Sequence, residues 1–199
     1  MITIFSLVAT VTLAHPAIPS YQERDAALMT EYVIEKRHAL GSETCERVVG
    51  AVLAAGAQFN IDPLFLLSVA YIESRWNPKA LSKNDGGSAS YGLFQIKWGW
   101  ASGWGNKKKT PPKEFEIKRK KDMLDAAKAT RLAAWIFDLH RRKWGAKYAA
   151  TVYTCGAGCC DKYKRGRCVK KKPWTKTAKG YFRVYRELLK RYNAGEIGC

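Results

Sequence analysis

The chain has 199 residues, of which 47% are apolar and 12% aromatic; this suffices for one domain with a real core and excludes a disordered chain. The formal charge is +18, unevenly placed: residues 1–96 hold 7 Lys and Arg against 9 Asp and Glu, whereas residues 97–199 hold 28 against 8. The basic character therefore belongs to the C-terminal half, where it favours solubility and attraction to negative surfaces.

Residues 1–14, MITIFSLVATVTLA, bear no charged side chain and are followed by His15-Pro16-Ala17. This fits a secretory signal with cleavage near Ala14 to Ala17, leaving 18–199 as a single domain. The segment is shorter than the roughly 20 apolar residues of a membrane span, so no stable span is expected. It lacks the usual early Lys or Arg, and a buried N-terminal strand or helix is the alternative. No Cys ends it, which gives a lipoprotein anchor no support.

Residues 21–40 place Ala27, Leu28, Tyr32, Val33 and Ile34 at helical spacing among charges, predicting an amphipathic helix ended by Gly41. Ser42 or Thr44 is expected to cap a second helix over 45–57. Asp62 then caps, and Pro63 opens, a third helix. Its residues Leu64, Phe65, Leu66, Leu67, Val69, Ala70, Tyr71 and Ile72 are apolar nearly all round, the mark of a helix buried in a core. Asn77-Pro78 is expected to break it. Glu73 stands near its end. Burial and the negative helix terminus both disfavour the anion there, so a raised pKa suited to a general acid is expected. A Glu paired with Arg75 is the plainer alternative.

Residues 84–90, Asn-Asp-Gly-Gly-Ser-Ala-Ser, read as a loop of turn formers. Trp98, Trp100 and Trp104 follow among glycines. Flat rings on a pliable loop suit the apolar faces of sugars, and packing onto the core is the equal alternative. Residues 106–112 read as a basic loop and 114–121 as solvated. A helix is predicted over 122–144, with Leu124, Ala127, Leu132, Trp135, Ile136 and Leu139 inward and Gly145 as its stop. His140 is expected at the surface. A last helix over 177–192 carries Tyr181, Val184, Leu188 and Leu189 on one side.

Two segments, Glu73-Ser74-Arg75-Trp76-Asn77-Pro78 and Ser90-Tyr91-Gly92-Leu93-Phe94-Gln95-Ile96, stand at a set spacing behind the apolar helix. Together they resemble the catalytic region of lytic transglycosylases of the soluble (SLT) type, which share a lysozyme-like fold with goose-type lysozymes. The resemblance covers about residues 43–192. It implies a mainly α fold, a lysozyme-like helical domain with a central buried helix and long loops. It also implies that Glu73 is the only catalytic acid/base and that Gln95 lines the sugar cleft. Ser74, Tyr91 and Gly92 lie in the matching motifs and are candidate substrate contacts, with Trp98 beside them. The family's Ala-Tyr-Asn-Ala-Gly motif aligns with Val152-Tyr153-Thr154-Cys155-Gly156. This implies that Tyr153 sits near the catalytic Glu, while Thr154 stands where the Asn would be. Tyr181 aligns with the Tyr of the last motif, and Tyr153 and Tyr181 are further candidate substrate contacts.

The implied reaction is cleavage of peptidoglycan between N-acetylmuramic acid and N-acetylglucosamine, leaving 1,6-anhydromuramic ends, with no cofactor or metal. Goose-type hydrolysis of the same bond is the alternative. An inverting hydrolase needs a second carboxylate about 6.5–9.5 Å away, and Asp85 is the candidate; as part of Asn-Asp-Gly-Gly it is more simply a turn residue. Lys97 stands where goose-type lysozymes tend to carry Asp, which favours the transglycosylase. A non-catalytic cationic envelope-binding protein is the third reading.

Six cysteines, Cys45, Cys155, Cys159, Cys160, Cys168 and Cys199, behind an export signal read as disulfides. A zinc knuckle is the alternative for the middle four, although no paired C-x-x-C spacing or nearby His supports it. The basic runs suit anionic envelope polymers, and the absence of a recognisable nucleic-acid module argues against nucleic acid. The expected location is the periplasm or the exterior, or the cell wall by phage delivery.

Overall fold

A computed structural model of the protein describes residues 23–85, 88–102, 111–155, 163–164, 167–168 and 176–195. Helix α1 (Glu23–Lys36) and a 3-10 turn (His38–Leu40) lead into α2 (Ser42–Phe59) and then α3 (Pro63–Ser74). The cap of α2 differs from expectation. Gly41, at φ 74°, turns the chain into the helix, and no side chain caps it. At α3 the expected start is present: Asp62 Oδ1 accepts the Leu64 N–H at 2.9 Å, and Pro63 fills the first position, where no N–H is needed.

Helix α3 is the centre of the molecule. Leu64, Leu66, Leu67, Val69 and Ala70 are fully buried, and the helix packs on α2 and on the closing helix α7 (Lys176–Asn193). Each such Leu or Val contributes about 1.5–3 kcal/mol through burial, so the end of α3 is a rigid platform.

Residues 84–85 and 88–90 lie in strands and not in the open loop expected. Strands β1 (Leu81–Asp85) and β2 (Ser88–Tyr91) form an antiparallel hairpin, and β3 (Ile96–Lys97) extends it to three strands. Tyr91 faces Leu81 on one side and Ile96 on the other, while Asp85 pairs with Ser88 across a register irregularity. Asn-Asp-Gly-Gly is a tight-hairpin sequence as well as a loop sequence.

After the short helix α4 (Trp98–Ala101), 3-10 turns at Lys113–Phe115 and Lys120–Leu124 precede α5 (Ala126–Trp144) and α6 (Ala146–Cys155). The predicted helix from 122 thus begins at 126, because Asp125 keeps extended backbone and caps α5 by accepting the Lys128 N–H at 2.9 Å. Ala127 is exposed, while Leu132 and Ile136 face inward as predicted and Ala129, Ala133 and Phe137 join them. That phase brings His140 inside, 7% exposed, which corrects its surface assignment. Helix α5 packs on both α2 and α6, so its buried face is broad enough to include Asp138. Arg141 and Arg142 each reach the Asp138 carboxylate at 2.7 Å and compensate its burial. A small hairpin, β4 (Tyr163–Lys164) with β5 (Arg167–Cys168), precedes α7.

Cys45 is a free thiol buried in the core, so it takes no part in the expected pairing. The other five cysteine side chains, the segment 1–17, Trp104 and most of the basic runs lie outside the described residues. Among the described residues no helix is long and apolar enough to cross a membrane.

Candidate active site

Glu73 lies in the last turn of α3, half-buried. The helix ends there, before Asn77-Pro78, because Arg75 and Trp76 both adopt left-handed backbone, at φ 55° and 59°. The Arg75 N–H returns to the Tyr71 carbonyl at 2.9 Å and the Trp76 N–H to the Ala70 carbonyl at 3.3 Å. Two successive non-glycine residues in this region cost roughly 1–3 kcal/mol each. Burial of the Trp76 ring offsets that cost, and its indole N–H donates to the Leu67 carbonyl at 2.9 Å. The reversal carries the chain away at once and leaves Glu73 at the end of the core.

Tyr181 of α7, fully buried, donates its hydroxyl to Glu73 Oε1. Burial first, and then the Glu73 charge, push the Tyr181 phenol well above the usual tyrosine range, so it acts as a neutral donor. Tyr153 of α6 is raised for the same two reasons, in the same order. Its ring stacks on Phe137 with centroids 4.4 Å apart and planes within 8°. Tyrosines from helices α6 and α7 thus face Glu73, Tyr181 through a hydrogen bond and Tyr153 through the charge that raises it.

The turn between β2 and β3 is braced through three successive carbonyls. The Gly92 carbonyl accepts Gln95 Nε2 at 2.9 Å, the Leu93 carbonyl accepts the Ser74 hydroxyl at 2.7 Å, and the Phe94 carbonyl accepts the Tyr153 hydroxyl at 2.8 Å. Gln95 Nε2 also approaches the Ala80 carbonyl at 3.3 Å. Gly92 is required here. Its φ is 70°, and an added Cβ would stand 2.0 Å from the Met123 carbonyl oxygen. Ser74, Gln95 and Tyr153 were expected from the motifs as substrate contacts; their described hydrogen bonds hold this turn against α3 and α6. Leu93 and Phe94 are fully buried beneath it. Sequence reasoning gave these two no role, although two apolar residues inside a Gly-x-x-Gln turn are a signal of an anchored loop.

Tyr91 and Trp98 are half-buried and pack against the core. For Trp98 this realises the packing alternative. Asp85 ends β1, and only its backbone is described. Another pair escaped the sequence reading: Tyr185 donates to Asp62 Oδ2 at 2.8 Å, one helical turn beyond Tyr181. Tyr181 and Tyr185, four residues apart on one face of α7, therefore tie that helix to α3 at its end and at its start. No cluster of three or more His, Cys, Asp or Glu suited to a metal occurs among the described residues.

A family model described as the transglycosylase SLT domain matches residues 50–174, more than half of the chain. The chain belongs to the SLT transglycosylase family. The matched span runs from α2 through the hairpin β4–β5 and contains Glu73, the braced turn and Tyr153; Tyr181 lies just beyond it. The mainly helical architecture around a buried α3 is consistent with the lysozyme-like fold of SLT domains, and membership implies peptidoglycan as the material acted on. No curated protein matches the chain.

Proposed function

We propose that this SLT domain is an exported lytic transglycosylase in which Glu73 alone is the catalytic acid and base. The observation that carries the reading is the delivery of one carboxyl group, on a rigid buried helix, to a neutral phenol donor. Protonated Glu73 donates to the glycosidic oxygen leaving the muramic carbon, and the bond breaks through an oxocarbenium-like state. The Tyr181 hydroxyl then stabilises the carboxylate that forms, since hydrogen bonds to charged acceptors are the stronger kind. The Glu73 carboxylate takes the proton of the muramic C6 hydroxyl as that oxygen closes on the same carbon. The acid is restored, no water is consumed, and a 1,6-anhydro ring results. One carboxyl suffices because the nucleophile belongs to the substrate and is held close to the reacting carbon. Gln95, Ser74 and Tyr153 support the reaction by fixing the turn that borders the cleft. Residues 1–17 serve as the export signal in this reading, and disulfides among the remaining cysteines suit the same compartment.

The test is digestion of purified peptidoglycan followed by mass spectrometry of the released muropeptides. Products lighter by about 18 Da, one water, than hydrated ends mark intramolecular attack, and Glu73→Gln abolishes them. Hydrated reducing ends would replace the reading with lysozyme-type hydrolysis. Wall binding without release of either product would replace it with a cationic binding protein.

A further inference from the structure

Helix α7 comes close to α3 at Gly180, where an added Cβ would already touch the Ile72 side chain at 3.6 Å. Beside this contact the Tyr181 hydroxyl donates to Glu73 Oε1, and one turn further the Tyr185 hydroxyl donates to Asp62 Oδ2 at 2.8 Å. Close approach sets how near the two helices lie; it does not by itself set the roll of α7 about its axis. A tyrosine hydroxyl stands at the far end of its side chain, so a small roll carries it off its acceptor. Residues four apart share one face of a helix, so a single roll angle has to satisfy both bonds.

Asp62 is a fixed acceptor. Its Oδ1 is held by the Leu64 N–H at 2.9 Å in the first turn of α3, the helix whose other end bears Glu73. The Tyr185 ring is held as well. It meets the Phe65 ring edge-on at 5.9 Å, and Phe65 also meets Phe182 at 5.4 Å and Phe137 at 5.5 Å. Phe137 in turn stacks on Tyr153. One aromatic cluster thus links Tyr185 to the second tyrosine that faces Glu73.

We infer that Asp62 and Tyr185 are positioning residues: their bond at the start of α3 fixes the roll of α7 and thereby holds the Tyr181 hydroxyl on Glu73 at the other end. This role rests on Glu73 being the acid of the proposed reaction, and it names the residues that keep its donor in place. Asp62 and Glu73 stand about 16 Å apart along α3 at roughly 1.5 Å per residue, so Asp62 and Tyr185 act on the chemistry only through Tyr181. Small displacements matter there, since a misplacement of about 1 Å can cost about 100-fold in rate.

Two substitutions cut the tie in different ways. Tyr185→Phe keeps the ring on Phe65 and removes the hydroxyl. Asp62→Ser keeps a capping oxygen for the Leu64 N–H and offers no second oxygen to Tyr185. Each is compared with the wild-type full chain, alone and combined with Tyr181→Phe, by release of soluble muropeptides and by carbon-13 NMR titration of the Glu73 carboxyl. Each alone should lower kcat about three- to tenfold with KM unchanged, and should add nothing in the Tyr181→Phe background. A hydrogen bond to a carboxylate favours its charged form, so each should also move the Glu73 titration to higher pH, again with no further effect once Tyr181 is replaced. Should one variant fail to fold, the other carries the same test. Hydrated products would change the proposed reaction and leave this role standing, because Glu73 is the acid in either case. A wild type that releases nothing loses the transglycosylase reading, and the titration then decides alone. An unshifted Glu73 titration in the folded variants, or a loss of kcat that is equal with and without the Tyr181 hydroxyl, overturns the positioning role.

Discussion

Tyr181 and Glu73, 108 residues apart in sequence, meet through a hydrogen bond from the phenol to Oε1 that joins the last helix to the central one. A hydrogen bond to a charged group contributes about 1.5–3 kcal/mol. If that bond strengthens as Glu73 gives up its proton, Tyr181→Phe should lower kcat roughly 10- to 100-fold with little change in KM, because the loss falls on the transition state. Steady-state release of soluble muropeptides measures it. An unchanged kcat would remove Tyr181 from the chemistry and leave it as packing.

Asp85 separates the transglycosylase from the hydrolase. Under the single-carboxyl mechanism, Asp85→Asn should leave turnover close to the wild type and the products anhydro, whereas Glu73→Gln should take turnover to background. Assaying both variants on the same sacculi decides the matter. A collapse of activity in Asp85→Asn with hydrated wild-type products would make Asp85 the base that activates water.

The braced turn has one position that admits no side chain. Gly92→Ala combines a left-handed φ of 70° with a Cβ driven to 2.0 Å from the Met123 carbonyl. Backbone strain alone costs roughly 1–3 kcal/mol, and relief of the clash must move backbone. The variant should unfold at clearly lower urea than the wild type and lose activity. Ser74→Ala, which removes the hydroxyl bonds to the Leu93 and Ala70 carbonyls, should cost less, about 1 kcal/mol. Equilibrium denaturation of the pair ranks them; the reverse order would show that the turn is not a rigid support.

The helix that carries Glu73 was legible in the sequence because it follows local rules. Asp62-Pro63 and the unbroken apolar run gave α3, and the position of Glu73 followed from them. The pairing of β1 with β2 was missed because Asn-Asp-Gly-Gly serves open loops and tight turns equally, and strand pairing is a non-local choice. His140 was misplaced because α5 is packed on two sides, by α2 and α6, which widens its buried face. The roles of Ser74, Gln95 and Tyr153 as braces depend on which carbonyls come within reach after folding. No spacing rule contains that information, and a polar side chain in a motif reads the same whether it faces a sugar or a neighbouring peptide group.

Three tyrosines, Tyr181 buried and Tyr153 and Tyr185 partly buried, set an upper limit to the alkaline stability of the fold. Tyr181, Tyr153 and Tyr185 are all raised above the usual value, each by burial first; the Glu73 charge adds to it for the first two, and the hydrogen bond to Asp62 for Tyr185. Below the unfolded tyrosine pKa of about 10 both states hold these protons, and the associated stability is fully present. Above it the unfolded chain releases protons that the folded chain keeps, so stability falls as pH rises. Urea denaturation should therefore show no pH dependence from these groups between about pH 7 and 9, a range below that value, and a progressive fall above about pH 10. Tyr185→Phe should make the fall shallower, because one of the three groups no longer titrates in the unfolded chain. It should also lower stability at neutral pH, since the bond at 2.8 Å to Asp62 is lost. An identical alkaline slope in the variant would mean that Tyr185 releases its proton as readily folded as unfolded, and that the second tie between α7 and α3 is not made in solution.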